Sequence, residues 1–291
     1  MEKNACDLHT HSTFSDGTWT PAKIVRRAKE IGLGAVALTD HNTALGLPEF
    51  MEAGRAENMR TIAGTELSTT YNGHEVHIVG LFIPEEHWAD VNEFTSSLWR
   101  AKDESNRKLG AALTAAGYPV DYEAMLAAAP GGQINRSGFG DELARRGYMS
   151  KKEAFHTVLQ PKERGGLYEA PERPDALRAV EFLRSIGAVP ILAHPFLNFP
   201  NRDELREFLR LAKERGLAGM EVYYSTFSPD ETREALRIAS EEGLAASGGS
   251  DFHGAAKRGT YLGTGRGTLS VPPDTADWLL NAVGAGRREN M

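Results

Sequence analysis

A single cysteine, Cys6, stands in 291 residues, so no disulfide can form within the chain and no thiolate cluster can hold a metal. Long apolar runs are missing too. Nothing approaches the roughly 18 consecutive apolar residues of a membrane span, and the opening residues MEKNACDLHTH lack the apolar stretch of a secretory signal. Blocks of like charge are equally scarce: net charge is -7, and no Lys/Arg run is long enough to make a general surface for duplex nucleic acid. No internal repeat or low-complexity tract is present. These absences predict a soluble, cytoplasmic protein with neither a membrane nor a duplex as partner. What remains is an ordinary globular balance, 41% apolar and 25% charged, which argues against disorder and fibrous repeats. The length suits one large domain, or a domain with an insertion.

Short apolar runs alternate with helical patterns along most of the chain. Thr20 and Pro21 read as an N-cap and a first-turn proline, after which Ile24, Val25, Ala28 and Ile31 follow at helical spacing until Gly32 and Gly34. Ala35–Thr39 is a continuous apolar run, as expected of a strand buried on both faces. The alternation returns as a helix over Ala176–Ile186, a strand over Val189–Ala193, a helix around Leu205–Ala212, a strand over Gly219–Tyr223, a helix around Glu231–Glu241 and a strand over Leu244–Ser247. Such repetition predicts a parallel α/β architecture with barrel-like closure.

From about Trp88 to about Tyr168 that rhythm lapses into Ala-rich, charged helical sequence broken at Ala129-Pro-Gly-Gly132. We read an α/β barrel domain over 1–87 and 169–291, and an inserted, mostly helical lid subdomain over 88–168. Residues 134–165 carry seven Lys/Arg against four acids. A locally basic insert in an acidic protein suits contact with an anionic substrate; a solvated helix face of mixed charge is the equally plain alternative. The tail Gly284–Met291 reads as frayed.

The histidines carry the chemistry. His9 and His11 form an H-x-H pair after the first strand, and alternate residues of an extended chain point the same way, so both imidazoles can face one metal. Asp16 follows in the turn Ser15-Asp16-Gly17. His41 closes the strand ending at Thr39, Glu66 follows the strand-like Arg60–Ala63, and His77 lies in Glu75–Val79. His194 ends the strand Val189–Ala193, and Asp251 and His253 follow Leu244–Ser247. A lone histidine at a strand end is usually a core or surface residue. Six histidines and three carboxylates placed at one barrel face by one register point instead to a metal site. Nine N/O ligands exceed the needs of one ion, so two or three divalent transition-metal ions are expected, with Mn, Zn or Fe suited to imidazole and carboxylate together.

The strings DLHTHSTFSDG, LTDHN, EVHIVG, LAHP and SGGSDFHG, with Glu66 between the second and third, resemble the polymerase-and-histidinol-phosphatase (PHP) superfamily of metal-dependent phosphoesterases. The resemblance implies a distorted (β/α)7 barrel and a centre of up to three metals. By position, His9, His11, Glu66 and Asp251 would hold the first ion; Glu66, His77 and His194 the second; Asp16, His41 and His253 the third. Asp16, Glu66, His194 and Asp251 form the implied catalytic set, the last two as sources of a leaving-group proton. The nucleophile would be a metal-bound hydroxide. The insert resembles the nucleotide and 3′,5′-nucleoside bisphosphate phosphatase branch, in which an Arg and a His two residues later reach toward phosphate. Arg136 keeps the first and would bind substrate; Gly138 replaces the second.

The implied activity is hydrolysis of the phosphomonoester of a small phosphorylated metabolite, with AMP or a 3′,5′-bisphosphate in front. The alternatives are 5′-3′ exonuclease action on short 5′-phosphorylated oligonucleotides and histidinol-phosphate-type hydrolysis. C–N hydrolysis is less suited, because no lysine follows a strand where a carbamylated bridge would sit. A binding-only module would not need all nine ligands. Of the remaining residues, Asp40 is read as orienting an imidazole or capping its turn, and His74 and His87 as surface residues. His156 is a weak substrate candidate, Cys6 a small buried hydrophobe, Tyr168, Tyr223 and Tyr224 residues that pack the barrel rim or stack on a base, and Asn198 a polar loop residue.

Overall fold

A computed structural model describes residues 2–129 and 134–288; 130–133, which hold Pro130-Gly-Gly132 of the expected helix break, and 289–291 lie outside the described residues. The chain forms two compact units, 1–93 with 174–291, and 94–173. Both boundaries fall a little later than the 87/88 and 168/169 expected from composition.

The first unit is a nearly closed barrel of seven strands that follow one another around the sheet: β1 (Cys6–Asp7), β2 (Ala35–Leu38), β3 (Thr61–Tyr71), β4 (His74–Leu81), β5 (Val189–Leu192), β6 (Gly219–Tyr224) and β7 (Ala245–Gly249). Pairing is parallel except on either side of β4. There the βα rhythm gives way to a hairpin whose two-residue turn, Asn72-Gly73, has φ of +48° and +78°, the left-handed pair of a type I′ turn. β3 is long because it changes partner: Thr61–Ala63 pair with β2, and Gly64–Tyr71 with β4. Glu66 therefore lies inside a strand, not after one. His77, near the start of an antiparallel strand, reaches the same barrel end as residues that follow parallel strands.

Backbone hydrogen bonds bridge the remaining gap between the β1 and β7 ends of the sheet. Leu8 N–H donates to the Gly248 carbonyl at 3.2 Å and Asp251 N–H to the His9 carbonyl at 2.9 Å. The approach is too close for a side chain, since a Cβ on Gly249 would lie 2.4 Å from the backbone nitrogen of His9. Inside the barrel Leu8, Ala37, Ile62, Val79, Leu81 and Ile191 form a buried cluster with Val271 and Leu279.

Helices cover the parallel strands. α1 (Pro21–Glu30) is capped by the Thr20 hydroxyl and buries Ile24, Val25 and Ala28; α2 (Leu47–Glu57) lies beside it. The central insert is mostly helical: α3 (Trp88–Ala115) leads from the first unit into the second, followed by α4 (Tyr122–Ala128), α5 (Arg136–Arg145) and α6 (Lys151–His156). That unit has its own core of Leu109, Leu113, Ile134, Phe139, Leu143 and Leu159. α7 (Ala176–Ser185) starts at an Asp175 cap, and the short α8 (Pro195–Asn198) follows β5 directly. α9 (Arg202–Arg215) then precedes β6, α10 (Pro229–Glu242) begins in a Ser228/Glu231 capping box, and α11 (Thr275–Arg288) ends the described chain. Of the tail 284–291 expected to be frayed, the part as far as Arg288 is helical, and 289–291 lie outside the described residues.

Gly249→Ala is expected to push β1 from β7, lowering stability by about 1–3 kcal/mol, the scale of core overpacking, and displacing His9. Thermal unfolding together with metal titration checks both effects; a wild-type melting curve would refute the close-approach argument.

Candidate metal centre

The nine expected residues converge at the barrel end where the parallel strands finish. Glu66 is the hub. Its Oε2 lies 3.1 Å from His9 Nε2, 3.2 Å from His11 Nε2 and 3.1 Å from His41 Nδ1. Its Oε1 lies 2.8 Å from His77 Nδ1 and 3.0 Å from His194 Nε2. One carboxylate thus faces five imidazoles, divided between its two oxygens. The backbone locks it there, because Glu66 N–H donates to the Asp40 carbonyl and the Glu66 carbonyl accepts from Asn42 N–H.

Asp251 Oδ1 approaches His11 Nε2 (3.4 Å), His9 Nε2 (3.9 Å) and His253 Nδ1 (3.3 Å). Asp16 Oδ1 lies 3.1 Å from His253 Nε2 and 3.8 Å from His11 Nδ1, and its Oδ2 lies 3.9 Å from His41 Nε2. Ligand atoms fall within 4.8 Å of one another in three groups: His9/His11/Asp251, His41/Glu66/His77 and His11/Asp16/His41/His253. His11 and His41 each take part in two groups, one ring nitrogen on each side. The ligand partition implied by the family gave each of them to one ion.

Burial sets the electrostatics. Burial alone would raise the Glu66 carboxyl, but the imidazoles of His9, His41 and His77 hold it well below the usual carboxylate range. Asp16 is held low in the same way, chiefly by His253 and His41. Burial would lower His9, yet Glu221 and Glu66 hold it well above its ordinary value. Asp251 and Glu66 likewise outweigh burial at His11 and lift it to about 9; Glu66 and Glu75 lift His77 to about 10. His41 goes the other way, to about 3, because burial and the neighbouring His11 and His77 outweigh the carboxylates. The carboxylates demand positive charge that the imidazoles meet by taking protons, and divalent ions would supply the same charge in their place.

The donor set fits such ions. It is imidazole nitrogen and carboxylate oxygen without thiolate, as suits Mn, Zn or Fe. Among the described residues the buried Nδ1 atoms of His11, His41 and His194 have no hydrogen-bond partner. His9 is oriented as a ligand would be. Its Nδ1 lies 2.8 Å from Glu221 Oε1, so a proton held there leaves the Nε2 lone pair facing the cluster.

Several supporting residues were not legible as functional. Glu221, buried in β6, also accepts the His194 N–H through Oε2 at 2.7 Å. It thereby fixes a residue whose φ of +27° is sterically costly outside glycine; an acid within the apolar run Gly219–Tyr223 was the available signal. Asp7 accepts from Ser250 N–H, the Ser250 hydroxyl and Gly263 N–H, tying β1 to the loops after β7. Asp251 Oδ2 receives the Tyr224 hydroxyl at 2.6 Å and the Lys257 ammonium. Lys257 had no pattern to announce it.

Other expectations resolve locally. Asp40 bonds no imidazole; it takes Ser12 N–H and the hydroxyls of Ser12 and Ser15, and so shapes the Asp16 turn. His74 is exposed, and His87, at the surface, pairs with Asp90. His156 Nδ1 donates to the Lys152 carbonyl, and Asn198 to the Ala193 carbonyl. Tyr223 packs against the barrel core and Tyr224 bonds Asp251. Arg136 lies in the second unit at the start of α5, its guanidinium 4.7 Å from the Tyr168 ring centre and 5.5 Å from that of Phe155. At Gly138 a Cβ would press on Ile134 at 3.0 Å.

Glu221→Gln is expected to weaken metal binding about 10–100-fold, the usual effect of losing a carboxylate behind a ligating histidine, with the fold intact. Competition against a chromophoric chelator measures this; unchanged affinity would reduce Glu221 to a packing role.

Comparison with known proteins agrees with the geometry. The PHP domain family model matches residues 7–163. The chain is 32% identical to the 5′-3′ exoribonuclease Rnm of Salmonella typhimurium, over 85% of this chain and 84% of the relative. It is 30% identical to the 3′,5′-nucleoside bisphosphate phosphatase of Chromobacterium violaceum, over 92% of each. A solved structure from Bifidobacterium adolescentis, determined as that of a candidate metal-dependent phosphoesterase, superposes with a TM-score of 0.81 at 27% identity, covering 95% of this chain and 96% of that one. The chain belongs to the PHP family and is a metal-dependent phosphoesterase, a hydrolase.

Proposed function

We propose that the chain hydrolyses the phosphomonoester of a small phosphorylated metabolite, a nucleotide such as AMP or a 3′,5′-bisphosphate, with two to three Mn, Zn or Fe ions held by the nine residues. The observation that carries the multimetal part of this reading is the division of the five imidazoles between the two oxygens of Glu66, which would let one carboxylate serve ions on both sides. The name of the Chromobacterium violaceum relative supports a nucleotide as substrate. Bound ions would supply an activated water and neutralise phosphate oxygens as charge moves to the leaving group.

The chain's own residues hold that arrangement. Glu66 spaces the two sides, Glu221 aims His9 and pins His194, and Asp40 shapes the turn that presents Asp16. We assign Asp251 to holding an ion, not to proton delivery. Its Oδ2 already takes two donors, and although burial would raise it, Lys257 and His253 keep its carboxyl well below the usual range. With His194 Nε2 turned to Glu66 and its Nδ1 buried, the leaving oxygen's proton then falls to water beside His194. Arg136 would give a bidentate donor fork to phosphate.

A second reading, 5′-3′ exonucleolytic cleavage of short 5′-phosphorylated oligonucleotides, is favoured by the Salmonella typhimurium relative's name. The same centre serves either bond.

After reconstitution with Mn, elemental analysis should give two to three ions per chain, and less than one would overturn the multimetal reading. Phosphomonoesters should be cleaved much faster than bis-p-nitrophenyl phosphate; the opposite order would put the exonuclease reading first. Asp16→Ala should cut kcat steeply and lower metal content, because the charge it holds matters most in the transition state. Arg136→Ala should leave metal content whole, raise KM and cost about 1.5–3 kcal/mol in kcat/KM, the scale of a charge-assisted hydrogen bond. Unchanged kcat/KM would remove Arg136 from the site.

A further inference from the structure

Beside the metal centre the barrel carries a cavity of about 720 Å³ whose lining includes Trp19, Arg27, Phe252, Gly254, Arg258 and Tyr261. Phe252 and Gly254 flank His253 in the chain and Trp19 follows the Asp16 turn, so residues that line the cavity adjoin the third ligand group in sequence. No carboxylate lines it, although the chain as a whole carries a net charge of -7. Arg27 is paired with Glu30 at the surface. Arg258 is exposed, and no hydrogen bond or ion pair engages it among the described residues.

Tyr261 is 63% exposed, yet its backbone is held rigidly: its N–H donates to the Gly265 carbonyl and its carbonyl accepts from Gly265 N–H. Two residues on, Gly263 N–H is held by the buried Asp7 carboxylate at 2.7 Å. An aromatic ring presented to solvent on a fixed mount is poorly explained by folding, and it costs little entropy to use in binding. The order along the chain is equally suggestive. Lys257 bonds Asp251 at the metal centre, and the next residue, Arg258, already lines the cavity.

We infer that this cavity is a binding groove for single-stranded oligonucleotide, receiving the nucleotides that follow a 5′ end placed at the metals. The Arg258 guanidinium meets a backbone phosphate, and the exposed Tyr261 ring offers its face to a base. The inference rests on the exonuclease reading, and its test separates the two. Arg258→Ala/Tyr261→Ala alters two exposed side chains and no residue of the metal centre.

Binding of a fluorescein-labelled, 5′-phosphorylated hexaribonucleotide with phosphorothioate linkages to the metal-loaded enzyme is followed by anisotropy. The double variant should bind about tenfold or more weakly, with a shallower salt dependence, because a phosphate contact is lost. No binding by the wild type, or equal binding by the variant, overturns the groove. On the cleavable hexamer the variant should lose kcat/KM about tenfold, mainly through KM, while p-nitrophenyl phosphate hydrolysis stays within about twofold. An equal loss on both substrates would mark the pair as structural and overturn the proposal. Wild-type enzyme that binds the hexamer through these residues without shortening it would uphold the groove and remove the exonuclease reading.

Discussion

One buried carboxylate organises the functional half of this protein. Glu66 is 1% exposed and faces five imidazoles. A charge buried so completely costs several kcal/mol unless partners of opposite sign and good geometry surround it. Every residue that closes around Glu66, whether protonated histidine or histidine holding a cation, answers that cost. The strand exchange in β3 follows from the same need, since it lets one continuous strand carry Glu66 from the parallel sheet into the hairpin that brings His77 to the opposite oxygen.

Around this hub, further buried carboxylates act on the backbone. Asp7, Asp40 and Glu221 are all nearly inaccessible, and each binds two or more donors from segments distant in sequence. Burial raises the carboxyls of Asp7 and Asp40, while the converging donors favour the ionised form. The result is a set of loops whose positions are dictated by charge satisfaction. His194 and Asp251, at φ of +27° and +53°, hold conformations that cost about 1–3 kcal/mol each. The bonds their N–H groups donate, to the Glu221 carboxylate and the His9 carbonyl, over-determine them. Backbone strain and ligand placement are two aspects of one construction.

Much of this was legible in advance. The H-x-H pair, His41, His194, Asp251 and His253 announce themselves because each follows an apolar strand, and a parallel barrel gathers such positions at one end. Helix starts at Thr20-Pro21 and Asp175 are equally local, resting on one hydroxyl or carboxylate near its own backbone. The β3–β4 hairpin was missed although Asn72-Gly73 is a strong hairpin dipeptide, because the surrounding rhythm favoured another βα unit. Glu66 and His77 were singled out as candidate ligands, and the structure brings both into the cluster, but Glu66 lies within β3 where it had been expected after a strand.

The sequence by itself determined which residue types stand at which strand ends, and so the family, the barrel and the nine donors, because these depend on short-range periodicity and on motifs a few residues long. Only the tertiary structure decided how the donors divide. That His11 and His41 each face two groups of candidate ligands, that Glu221 rather than Asp40 aims the His9 imidazole, and that Lys257 rests on Asp251 are facts of contact between segments up to 212 residues apart. A one-dimensional pattern says which way a side chain leaves its strand. Which atom it meets depends on the twist and closure of the whole barrel.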